Sequence, residues 1–203
     1  MGDTLVGTPT KIVLLNGPPA SGKSMATTFL RLDFPGQVVD PKDVLTRLVS
    51  YTFRLTHDQV MLFSQRAEKE VQRTQLLGLS WREALIWASE DVLKPKFGLD
   101  VIGQFAVAEI FTKNKANRLF FVDSVGFTEE ALCYYKAFGP KNVITLRLFR
   151  DGKTFAGDSR QYIDKDVIQN LGGQVRDIQN RYELDLYREQ IKVAINEWLG
   201  ISE

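Results

Sequence analysis

Gly17-Pro18-Pro19-Ala20-Ser21-Gly22-Lys23-Ser24 sets two glycines around a short loop and follows the second with a lysine and a hydroxyl. Glycine lets the backbone curl closely around oxygen atoms. Successive N–H groups and the positive end of a following helix can then face a polyphosphate. Lys23 would reach the outer phosphates and Ser24 would ligate Mg²⁺, so the stretch implies nucleotide binding and leaves the phosphate recipient open. A second group of candidates lies further along. Asp123 follows the apolar run Leu119-Phe120-Phe121-Val122 and, if its strand neighbours the first, can orient Mg²⁺-bound water or the acceptor. The competing reading of Asp123 is an ordinary turn or helix-cap acid. Arg147, Arg150, Lys153 and Arg160 are the cations available to neutralise charge during transfer, with Arg150 and Arg160 favoured, although any one can be a plain surface cation.

These residues need elements to position them. Ile12 to Asn16 reads as a buried strand running into the loop, and Met25 to Leu30 continues as a helix, which is the context the motif requires. Gln37-Val38-Val39 reads as a second strand, with the polar cluster Asp40-Pro41-Lys42-Asp43 at its end and Asp43 placed to cap a helix from Val44. Thr56-His57-Asp58-Gln59 and Ser80-Trp81-Arg82-Glu83 are capping boxes. The first should open a helix carrying Val60, Phe63, Ala67 and Val71, and the second one that ends before Pro95. A further helix spans Leu99 to Phe111. Strands follow at Arg118 to Val122, Val143 to Leu148 and Val175 to Ile178. A helix through Glu129 and Tyr135 lies between the first two, and the last precedes a terminal helix with Leu184, Tyr187, Ile191, Ile195 and Trp198 on one face.

The result is an α/β chain with the P-loop NTP hydrolase fold: one parallel sheet of about five strands flanked by helices. A single domain covers 1–203, with a helical substrate-side region at 56–113 and a polar, glycine-containing lid loop at 150–162.

Composition narrows the function. The chain has 203 residues and 44% hydrophobic content, enough for one sizeable core. Its net charge of +1 argues against a general nucleic-acid surface, and one histidine excludes a multi-histidine metal site. Cys133 has no partner for an internal disulfide and reads as core, while His57 reads as structural or surface. Met1 to Lys11 is polar and not a signal peptide, and no apolar run approaches the ~18 residues of a membrane span. The expected setting is the cytoplasm, host cytoplasm if the chain is phage-encoded.

The loop, Pro41-Lys42-Asp43, Ser80-Trp81-Arg82-Glu83-Ala84-Leu85, Phe97-Gly98-Leu99-Asp100-Val101, Asp123-Ser124-Val125-Gly126-Phe127-Thr128-Glu129 and Asp177-Ile178-Gln179-Asn180 occur in an order that resembles the phage-type deoxynucleoside monophosphate kinases. These belong to the P-loop nucleoside monophosphate kinases, and the resemblance runs from Ile12 to about Leu199. It implies Mg²⁺-dependent transfer of the γ-phosphoryl group of ATP to a deoxynucleoside 5'-monophosphate, giving the diphosphate and ADP. Gly17 to Ser24 would hold ATP. Asp40, Lys42 and Arg82 would bind the acceptor, and Lys23, Asp123, Arg150 and Arg160 would serve catalysis. At Val125 relatives often carry arginine, so Arg82, Arg118 or a lid arginine would have to replace that charge.

Other readings stay open. The acceptor can instead be dephospho-coenzyme A, a nucleoside, a sugar or a polynucleotide end, because several kinases share this loop and sheet. The chain can also be a non-catalytic interaction protein switched by ATP. The expected partner is a small nucleotide substrate, with no stable nucleic acid and no membrane; a homodimer is compatible. Trp87 and Phe105 are candidates for contact with a base, though both suit ordinary packing.

Overall fold

A computed structural model of the chain describes residues 9–113 and 118–201. Five strands, β1 (Lys11–Asn16), β2 (Gln37–Val39), β3 (Leu119–Val122), β4 (Val143–Phe149) and β5 (Gln174–Gln179), form one sheet in the order β2-β3-β1-β4-β5. Every pairing is parallel. Central strands buried on both sides read as continuous apolar runs, as IVLL and LFFV do here, whereas the edge strand β5 (QVRDIQ) is mostly polar.

Alternate residues of β1 serve different cores. Val13 and Leu15 pack with helices α1 (Lys23–Asp33) and α9 (Leu184–Leu199) on one face. Ile12 and Leu14 pack with α6 (Val101–Lys113), α7 (Thr128–Phe138) and α8 (Lys165–Asn170) on the other. Period-two alternation thus fastens one strand into both layers. Register places Leu14 beside Val122 and Asn16 beside Arg147, so the carboxyl ends of β1, β3 and β4 open on one edge.

Between β2 and β3 the chain builds α2 (Asp43–Thr52), α3 (His57–Phe63), α4 (Trp81–Ile86), a π-helical segment (Trp87–Leu93), α5 (Lys94–Phe97) and α6. Leu45, Val49, Phe63, Leu76, Trp81, Ala84, Ala88, Leu93, Val101 and Ile102 give this region an apolar core of its own.

Several local expectations are corrected. Both capping boxes form, but the helix opened by Thr56 stops at Phe63. Ala67 and Val71, read as the continuation of its apolar face, are exposed, so no burial sustains further turns; a 3₁₀ turn at Thr74–Leu76 and an antiparallel bridge from Gln72 to Ser80 follow instead. Pro95 does not end the next helical run. It sits in the first turn of α5, where the wider π turns ahead of it absorb its missing N–H. Lys94 is buried there, 2.8 Å from Glu90 and 3.8 Å above the Phe127 ring, which ties the run to the start of α7. Asp43 does not cap α2. It lies in the first turn, and Asp40 Oδ1 instead accepts the Lys42 N–H at 2.9 Å. Helix α8 has no counterpart in the sequence reading; Asp164 caps it through the N–H groups of Asp166 and Val167.

Among the described residues no helix is long and apolar enough to cross a membrane.

Candidate active site

The phosphate loop occupies the turn between β1 and α1, and side chains bond several of its carbonyls. Lys23 Nζ donates to the carbonyls of Gly17 (2.6 Å) and Pro18 (2.8 Å), and Arg150 Nη1 donates to that of Ala20 (3.1 Å). Asn180 Nδ2 donates to the Ser21 carbonyl (3.0 Å) and the Tyr187 hydroxyl to the Gly22 carbonyl (3.3 Å). With these carbonyls bonded, the opening N–H groups of α1, which carry no side-chain cap, are left to meet an anion. Gly22 has φ 109°, and a Cβ there would lie 2.5 Å from Asn180 Nδ2. Glycine is therefore required both by the backbone and by the asparagine that braces it.

Asn16, fully buried, joins three segments at the end of β1. Its Nδ2 donates to the carbonyls of Val125 (2.8 Å) and Gln161 (3.0 Å), and its Oδ1 accepts the Ile163 N–H (3.0 Å). The 123–126 segment is further held by Asp123 N–H to the Val39 carbonyl (3.4 Å) and Val125 N–H to the Leu15 carbonyl (3.1 Å). Because β1 and β3 are neighbours, Asp123 comes to the phosphate loop, as the sequence required of an active acid.

Charge concentrates at this edge. Burial, followed by the cations of Arg160 and Lys42, lowers Lys23 to about 8, with Asp158 and Asp123 opposing. Burial, followed by the Asp40 carboxylate, raises Asp123 to about 6, with Lys42 and Lys23 opposing and Asp43 adding to the rise. Asp43 is itself raised by burial and by Asp40. The Arg160 guanidinium bonded to Asp158 holds that acid down at about 2. Lys23, Lys42, Asp123, Asp40, Asp43, Asp158 and Arg160 thus form one electrostatically coupled set.

The four cations proposed for charge neutralisation separate. Arg160 joins the set, and its aliphatic stem covers Gly126, where a Cβ would lie 2.5 Å from Cγ and Cδ. This lays the Arg160 stem over the residue that follows the buried Val125, with its guanidinium bonded to Asp158. Arg150 lies 4.1 Å above the Tyr182 ring with its guanidinium on the Ala20 carbonyl, and the leading charges acting on Lys23 and Asp123 come from other residues. Arg147 is spent on Asp177 through two hydrogen bonds of 2.7 and 2.8 Å. Lys153 is exposed in the following turn. Arg118 precedes β3 at the amino end of the sheet, away from Asp123, and cannot replace the charge at Val125. Arg82 faces the site from α4, 3.4 Å from Glu70 and 3.7 Å from Asp158.

Trp87 packs edge-on against Phe53 at 5.8 Å within the helical region, as an ordinary packing residue does, while Phe105 is exposed on α6. His57 is exposed at the start of α3. Cys133 is half-buried, and burial followed by Asp100 pushes its thiol up to about 11.

The residues fit Mg²⁺ bound chiefly through phosphate oxygens. Ser24 is exposed at the first turn of α1, and Asp123 Oδ1 is a buried oxygen with no partner. Hard oxygen donors of this kind suit Mg²⁺, which takes one or two protein ligands beside substrate phosphates. Among the described residues no cluster of three His, Cys, Asp or Glu side chains could hold a metal unaided.

Four contributors escaped the sequence reading: Asn16, Tyr182, Tyr187 as a brace rather than only a core residue, and Asp158. Only Asp158 carried a local signal, an acid two residues before Arg160 in a polar loop.

The sheet order, helices on both faces and the glycine-lysine-serine turn after the central strand define a P-loop α/β domain. No protein-family model matches the chain, and no curated protein does. Among solved structures, an unliganded sugar kinase from a Janibacter species is similar at 14% identity, with a TM-score of 0.43 over 96% of each chain. A dephospho-CoA kinase from Campylobacter jejuni is similar at 14% identity, with a TM-score of 0.44 over 94% of this chain and 98% of that one.

Proposed function

We propose that the protein transfers the γ-phosphoryl group of ATP to a deoxynucleoside 5'-monophosphate, giving the diphosphate and ADP. The observation that carries this reading is the convergence of Lys23, Lys42 and Arg160 on one edge with the Asp123 carboxylate, whose buried Oδ1 has no partner. An acceptor phosphate is already an oxygen nucleophile near neutral pH, so alignment, neutralisation of crowded charge and exclusion of water are the main tasks.

In this account Lys23 leaves the Gly17 and Pro18 carbonyls for the outer phosphates, while the loop N–H groups hold the triphosphate in place. Lys42 and Arg82 hold the acceptor from the opposite side, and Arg160 neutralises charge between the two. Mg²⁺, when bound, would supply Lewis-acid charge to the phosphate oxygens. Ser24 and Asp123 are the residues to hold it, Asp123 through water.

A second reading is favoured by one observation. Asp123 at about 6, with Asp40 and Asp43 nearby, is poised to accept a proton, which a hydroxyl acceptor needs and a phosphate does not. The test is an ADP-release screen across deoxynucleoside and ribonucleoside monophosphates, sugars, nucleosides and dephospho-coenzyme A, with direct detection of the phosphorylated product. Diphosphate formed from a deoxynucleoside monophosphate supports the first reading. Product formed only from hydroxyl acceptors replaces it with the second.

A further inference from the structure

The loop 150–162 is exposed along most of its length, at 151–154, 156, 157 and 159. It nevertheless turns one acid inward. The Asp158 side chain keeps only 8% of its surface exposed. Its Oδ1 accepts the Arg160 backbone N–H at 3.0 Å and Arg160 Nε at 2.8 Å, and its Oδ2 accepts Arg160 Nη2. Arg82 Nη2 approaches the same Oδ2 to 3.7 Å from α4. One carboxylate is therefore gripped in a two-pronged way by one arginine and approached by a second, which is how guanidinium groups hold a phosphate.

The carboxylate also acts on the Lys23 ammonium, the group placed to meet the outer phosphates. A phosphate arriving there meets a like charge that already holds the guanidiniums, so the two compete for them. We propose that Asp158 is a built-in stand-in for a substrate phosphate: it holds Arg160 and Arg82 in the cleft, and an arriving phosphate takes its place. This rests on the reading of the cleft as a phosphate site.

The structure assigns which partner moves. Arg160 is fixed by its stem over Gly126, and the next residue is anchored twice, by Gln161 N–H to the Gly126 carbonyl (3.0 Å) and by Asn16 to the Gln161 carbonyl (3.0 Å). Arg82 stays on α4 with Glu70 on its other side. On its other side Asp158 is held within the loop, its N–H bonded to the Phe155 carbonyl (2.9 Å), and it directly follows Gly157, which has φ 75° and nothing within 4 Å of a Cβ position. A rotation there carries the carboxylate out and leaves both guanidiniums behind. Until then Asp158 clasps the loop to the helical region across the cleft, so phosphate arrival releases the clasp.

The test uses inorganic tripolyphosphate titrated into the full-length protein by calorimetry. Asp158→Asn keeps an oxygen for the Arg160 N–H, and so keeps the local turn, while removing the charge. Its affinity for tripolyphosphate should rise about tenfold, the effect of removing one like charge several ångströms away near a protein surface. Asp158→Ser, which also offers an acceptor for the turn, should show the same gain. Asp151→Asn, in the exposed part of the same loop, should leave the affinity unchanged. In turnover, Asp158→Asn should lower KM for ATP without raising kcat. Unchanged or weakened tripolyphosphate binding in both Asp158 variants overturns the stand-in and makes the acid a brace for the loop. If the wild-type protein does not bind tripolyphosphate, the phosphate-site reading itself falls, and this proposal with it.

Discussion

The two sides of the cleft are held in different ways. Around the phosphate loop the braces are mostly neutral and buried: Asn16, Asn180 and Tyr187 hold main-chain groups whose partners lie far away in the chain. Facing it, Arg82, Glu70, Asp158 and Arg160 are joined by ion pairs, and Asp40, Asp43 and Asp123 crowd one another, with Lys42 and Lys23 acting on Asp123 from nearby. Neutral buried hydrogen bonds do not titrate and are scarcely screened by salt, whereas partly exposed ion pairs respond to both and exchange readily. In the proposed reading, the donor site is built before ligand arrives and the acceptor side has charges that the ligand rearranges.

The largest expected effect comes from the group that both sides share. Lys23→Ala should reduce phosphoryl transfer by about a hundredfold or more, because in the proposed reading it removes the cation that meets the migrating group. A coupled kinase assay on protein with unchanged circular dichroism checks this. Unaltered turnover would remove Lys23 from the chemistry.

Asp123→Asn should separate activity from stability. Turnover should fall by about tenfold or more as an organising carboxylate is lost. The folded protein should gain about 1–2 kcal/mol, because a buried charge with an unpartnered oxygen is gone. Since the folded-state value of Asp123 lies above its ordinary 3.8, at about 6, the penalty of its charge is absent below the first value and complete above the second. Thermal unfolding should thus show the gain above about pH 6 and lose it as the pH falls toward 4. A stability difference that does not depend on pH would contradict the assignment.

Asn180→Ala tests the neutral side. It leaves the buried Ser21 carbonyl without its donor and should cost about 1–2 kcal/mol of stability, with weaker ATP binding and an unchanged KM for the acceptor. The smallest effect belongs to the opposite wall. Arg82→Ala should change stability by less than about 0.5 kcal/mol, because its pairs are partly exposed, and should raise the acceptor KM severalfold while leaving that for ATP near its original value. If both variants shift the same constant, the two sides are not functionally distinct.

What could be read in advance follows the range of the interactions. The phosphate loop is legible because its chemistry lies in eight consecutive residues between an apolar run and a helix. Asp123 was legible as the acid ending a strand, but its proximity to the loop depended on β1 and β3 being neighbours. Both capping boxes were local and correct, whereas the lengths of the helices they start were set by what each face could bury. The turns after Phe63 and the π segment before Pro95 are outcomes of that packing. Asn16 was hidden for a related reason, since its Gln161 and Ile163 partners lie 145 and 147 residues away. Arg150 and Arg160 looked equivalent as loop cations. Only the fold shows Arg160 over Gly126 and Arg150 against Tyr182.

The central claim is that a cradle of main-chain amides with Lys23 grips the outer phosphates of a nucleoside triphosphate at the end of β1. Calorimetric titration of Mg-ATP into the folded protein, beside the Lys23→Ala variant, tests it most directly. The account predicts saturable binding to the first, strongly weakened in the second. Absence of binding to folded wild-type protein, with candidate acceptors also supplied, would contradict it.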